Sequence, residues 1–124
     1  MSEPPVPKIA LGSVRALPEV EWPRLLVTRG WPAGVDRRVI DQWEPDLAPS
    51  LELAAARASG ALDDAAFEAR YREELAARRN LVAWAARMAN GTGVVLLGEA
   101  TEDDACHRSV LAEVIRAQSA TPAS

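Results

Sequence analysis

The residue types best suited to chemistry stand side by side at Cys106-His107-Arg108. A thiol next to an imidazole suggests a nucleophile with its base, and a guanidinium beside them suggests an anion holder. Helix geometry separates the first two: neighbours on a helix leave the axis roughly 100° apart, whereas a thiolate–imidazole dyad needs groups that face each other. Cys106 therefore reads as a small buried hydrophobe. His107 remains as the catalytic candidate, the one side chain suited to proton transfer near neutral pH, with Arg108 assisting as a ligand contact.

Thr101-Glu102-Asp103-Asp104, just upstream, reads as a capping box on a helix that continues through Val110, Leu111, Val114 and Ile115. A helix start is a ready seat for phosphate. Glu99, Glu102, Asp103 and Asp104 oppose that use, because each carboxylate repels an anion. A metal held by Glu99 and His107 lacks trustworthy ligand spacing, so no metal site is assigned and the cofactor is left unknown. A second constellation lies at Arg29-Gly30-Trp31-Pro32-Ala33-Gly34, a loop spelled by its glycines and proline. Arg29 there is either paired with a carboxylate, Glu99 being the natural partner, or available to a ligand; Trp31 could cover that ligand. The candidate ligand-binding residues are thus Arg29, Trp31, Glu99 and Arg108.

These groups need elements to hold them. Residues 9–14 read as a short strand, 24–28 as a buried strand and 93–97 as the best strand of the chain. Asp36 is placed to cap a helix carrying Val39, Ile40 and Trp43 and stopped by Pro45. Ser50 begins a helix closed at Gly60; Asp63 or Asp64 begins another with Phe67, Tyr71 and Leu75 at i+4 intervals; residues 80–89 form a third. Three strands separated by helices predict an α/β fold: a small, mainly parallel sheet flanked by helices, three-layer and helix-rich. Ligands of such sheets bind beyond the carboxyl ends of the strands. Residues 29–34 and 98–101 occupy those ends and should share one rim.

The totals set the limits. The 124 residues suit a single domain over 8–117, between flexible tails at 1–7 and 118–124. Hydrophobic residues are 48% of the chain, as in a folded protein. A net charge of -4 argues against nucleic acid as a partner. One cysteine precludes an internal disulfide and fits a reducing compartment. With neither a signal pattern nor a membrane-length apolar run, the expectation is a cytoplasmic monomer or homodimer.

Several blocks together are similar to the uncharacterised YeaO-like family of bacterial proteins, the domain of unknown function 488 superfamily. Residues 26–34, Leu-Val-Thr-Arg-Gly-Trp-Pro-Ala-Gly, resemble its Leu-Val-Asp-Arg-Leu-Trp-Pro-Arg-Gly signature. Asp41-Gln42-Trp43 with Leu47-Ala48-Pro49-Ser50 resembles its next block, and Phe67, Tyr71, Glu74 and Leu75 fit its Phe-x-x-x-Tyr-x-x-Glu-Leu helix. Val95-Leu96-Leu97-Gly98 and Cys106-His107 fall on its final strand and helix. The resemblance spans residues 24–115 and implies an α/β fold with a pocket formed in part by Arg29, Trp31 and His107; it implies no reaction. Thr28 stands where the family has an acid and Ala33 where it has a second arginine. The family's aromatic and histidine positions fall among residues 54–59.

Two functions compete at this point. One is a small enzyme or binding domain for a small polar or nucleotide-like molecule, with Arg29 and Arg108 holding it and His107 transferring protons. The other is a non-catalytic interaction or regulatory domain, motivated by the four tryptophans and an acidic surface.

Overall fold

A computed structural model of the chain describes residues 7–99 and 105–120. Its centre follows from period-two patterning. Leu25 and Val27 face one side and Leu26 the other, and all three are fully buried. The strands are β1 (Ile9–Ser13), β2 (Arg24–Leu26), β3 (Gln42–Trp43) and β4 (Val94–Gly98). They form one sheet in the order β1-β4-β2-β3 with every pair parallel. Leu96 of β4 lies in register between Leu11 and Leu25. Every residue of β4 is buried, as an unbroken apolar run in an inner parallel strand requires.

The helices are α1 (Leu51–Ala58), α2 (Asp64–Ala77), α3 (Arg79–Asn90) and α4 (Ala105–Ala120). All four pack over the face of Leu25, Val27, Val94 and Leu96, where Phe67, Tyr71, Leu75, Leu111 and Ile115 complete the main core. The opposite face carries Leu26, Val95 and Leu97 and is covered by irregular chain, including Leu17, Trp22, Trp31 and Ile40. The third layer is therefore loop rather than α-helix. The Ser50 side chain caps α1 by accepting from the Leu53 amide, and Asp63 caps α2 by accepting from that of Ala66. Gly60, with φ +82°, turns the chain after α1.

The sequence reading of residues 36–44 requires correction. Asp36 does cap, accepting from the Arg38 amide, but only a single 3-10 turn (Arg37–Val39) follows. Gln42 and Trp43 instead extend the sheet as its fourth strand, with the Asp41 amide donating to the Arg24 carbonyl and the Glu44 amide to that of Leu26. A helix confined between Asp36 and Pro45 would have about two turns, too few to be stable without packing, whereas the open edge of β2 supplies partners at once. At the other end α4 continues to Ala120, beyond the boundary drawn at 117. The capping box read at 101–104, the Cys106 side chain and most of the segments read as tails lie outside the described residues. Among the described residues no helix is long and apolar enough to cross a membrane.

Candidate functional site

A cavity of about 710 Å³ opens at the carboxyl ends of β2 and β4. The chain leaving β2 supplies Thr28, Arg29 and Trp31, the end of β4 supplies Glu99, and α4 supplies His107. The remaining wall comes from Pro49, from Arg57 on α1 and from Phe67 on α2. Of the residues singled out in the sequence, Arg29, Trp31, Glu99 and His107 meet here.

His107 is 6% exposed. Its Nε2 lies 3.2 Å from the Val27 carbonyl oxygen, and its ring stands edge-on to Tyr71 with centroids 6.0 Å apart. Tyr71 is itself immobilised: its hydroxyl donates to the Leu47 carbonyl. Burial pushes the phenol far above its ordinary range, with the Glu74 carboxylate adding to the rise and Arg29 partly offsetting it. One turn earlier on α2, Phe67 lies 6.0 Å from Tyr71. Tyr71 thus links two rings of the cavity wall, Phe67 and His107, through the core behind it.

Arg29 is spread over the turn before α1. Its Nη2 donates to the Ala48 carbonyl at 2.8 Å, Nε to that of Pro49 at 3.3 Å, and Nη1 reaches Asp46 at 3.2 Å. The carboxylate partner is therefore Asp46 rather than the expected Glu99. Asp46 also pairs with Arg78 at 3.2 Å. Glu99 faces Arg15 at 3.4 Å, and Arg15 donates as well to the Ala33 carbonyl, joining the two rim loops. Thr28 donates to the Gly30 carbonyl at 2.7 Å.

Trp31 is half-buried and fixed, its indole donating to the Val35 carbonyl at 3.0 Å and its ring edge-on to Trp43 at 5.6 Å. Arg108 does not line the cavity. It is 3% exposed and lies across Gly98, where a Cβ would sit 1.7 Å from its Nη1. The absent side chain of Gly98 makes that room. Arg57 was not singled out in the sequence; its guanidinium carbon stacks 4.5 Å from the Phe67 ring centroid. Its one sequence cue is position, among residues 54–59, where the resemblance implies an aromatic and a histidine. Among the described residues no three His, Cys, Asp or Glu side chains group as metal ligands.

The molecule is thus an all-parallel α/β domain with a cavity at the carboxyl-end rim of its sheet. The chain belongs to the DUF488 family: residues 9–119 match the family model DUF488-N3a, described as the active DUF488-N3 subclade. It is 33% identical over 95 residues to the uncharacterized protein YeaO of Escherichia coli (strain K12), covering 75% of this chain and 83% of that protein. No solved structure matches it.

Proposed function

We propose that this chain binds a small polar or nucleotide-like ligand in the rim cavity, with His107 placed to exchange a proton with it. One observation carries the reading: a buried histidine, oriented by the Val27 carbonyl, borders a cavity that two strand-end loops build. Arg29 shapes the wall and Trp31 closes one side, while Glu99 sets a carboxylate at the mouth. The competing reading, an interaction domain, draws on exposed tryptophans. All four are half-buried, and the indoles of Trp31 and Trp43 donate to carbonyls of their own chain, which gives that reading less support.

A thermal-shift screen of metabolites against the wild type, His107→Ala and Arg29→Ala tests the site. At least one compound should raise the wild-type melting temperature and fail to raise that of His107→Ala. Variants that keep every wild-type shift would show that the ligand binds elsewhere.

A further inference from the structure

The two arginines of the cavity wall are held in opposite ways. Arg29 commits Nε, Nη1 and Nη2 to Pro49, Asp46 and Ala48. These bonds serve the turn that launches α1, leaving the guanidinium only part of its donor set. Arg57 has a different environment. Its guanidinium rests on the face of Phe67, which is 2% exposed and cannot yield. Its ion pair is with Asp64 at 3.5 Å, a carboxylate 85% exposed and therefore a weak, screened partner. The Phe67 ring holds the guanidinium carbon 4.5 Å from its centroid, and among the described residues neither Nε nor Nη1 donates to another group.

α2 gives this arrangement its geometry. Phe67 and Tyr71 are one turn apart; the first carries Arg57 and the second carries His107. One rigid helix thereby sets the spacing between a fixed cation and a fixed proton-transfer group on the same cavity wall. We infer that Arg57 selects the ligand, which is a small molecule bearing a phosphate or carboxylate group that the Arg57 edge holds while the rest of the molecule reaches His107. This deepens the function proposed above and rests on it. The planar fork of a guanidinium matches both oxyanions, and a neighbour already stacked loses little freedom on binding.

Calorimetric titration of the full chain with matched compounds tests the inference: adenosine against AMP, ribose against ribose 5-phosphate, and glucose against glucuronate, at constant ionic strength. The wild type should bind an anionic member at least about tenfold more tightly than its neutral counterpart, the scale of one charge-assisted contact. The pair showing the effect separates phosphate from carboxylate. Arg57→Gln should erase the preference and Arg57→Lys should keep part of it, with the melting temperature little changed in both. Equal binding of the two members, binding of neither in any pair, or a preference that survives Arg57→Gln overturns the inference. Neutral compounds that need His107 and ignore Arg57 would overturn it while leaving the cavity as the binding site.

Discussion

The Nε2 of His107 lies 3.2 Å from the carbonyl oxygen of Val27. A carbonyl has no proton to give, so a hydrogen bond here requires Nε2 to carry one. In the neutral ring Nδ1 is then the basic nitrogen. Val27 is fully buried, directly beyond β2, so the sheet itself aims the imidazole. His107→Ala should leave that carbonyl without its side-chain donor and cost about 1–3 kcal/mol. Urea unfolding measures the loss. A variant as stable as the wild type would mean that this bond does not hold the ring.

Glu74 clasps the start of α1. One of its oxygens accepts from the Ser50 amide at 2.9 Å and the other from the Ser50 hydroxyl, while that hydroxyl oxygen accepts from Leu53. Ser50→Ala should cost about 1 kcal/mol through loss of the cap. Glu74→Ala removes one of the same bonds, so the two substitutions together should cost less than their sum. A double-mutant cycle in urea checks this. Strict additivity would show that the cap and the clasp act independently.

Much of this framework was legible because it is local. The apolar run of β4, the cap at Ser50, a cap at Asp63 or Asp64 (the structure uses Asp63), and the i+4 row of Phe67, Tyr71 and Leu75 each announce themselves within a few residues. β3 did not, because Gln42 and Trp43 become a strand only through bonds to β2, and their spacing suits a helix equally well. The same distinction applies at the cavity. Arg29 and His107 stand at strand ends and helix starts, which a parallel sheet brings to one rim. The pairing of Arg29 with Asp46 depends on how the chain between β3 and α1 folds back, and Arg57 looks like any solvent-facing helix residue until Phe67 lies beneath it.

Tyr71 is the one tyrosine of the chain, so its ionisation can be read without interference from another phenol. Its hydroxyl is buried against the Leu47 carbonyl, and burial holds its pKa above the ordinary 10.0. Above that pH the unfolded phenol loses a proton that the folded one keeps. The unfolded state then binds fewer protons, so this group's contribution to stability is complete below pH 10.0 and falls as pH rises beyond it. Absorbance at 295 nm should show phenolate only as the protein unfolds. Tyr71→Phe should flatten the alkaline decline, at the cost of about 1 kcal/mol for the lost hydrogen bond. A phenol that titrates near pH 10 with the fold intact would contradict the buried placement.

Arg29 and Asp46 form an ion pair whose two members should differ sharply in importance. Asp46 is 52% exposed on its side chain and shared between Arg29 and Arg78; exposed pairs contribute less than about 1 kcal/mol each, so Asp46→Asn should cost little in unfolding experiments. Arg29 also satisfies the carbonyls of Ala48 and Pro49, both of them buried residues. Arg29→Ala should therefore cost about 1–3 kcal/mol, most of it from carbonyls that lose their donors. Arg29→Lys keeps the charge but replaces a planar fork with a point donor that cannot reach three acceptors at once. If the backbone clamp outweighs the ion pair, Arg29→Lys stays closer to Arg29→Ala than to the wild type in urea. Recovery by lysine together with a large loss in Asp46→Asn would assign Arg29 to charge pairing instead.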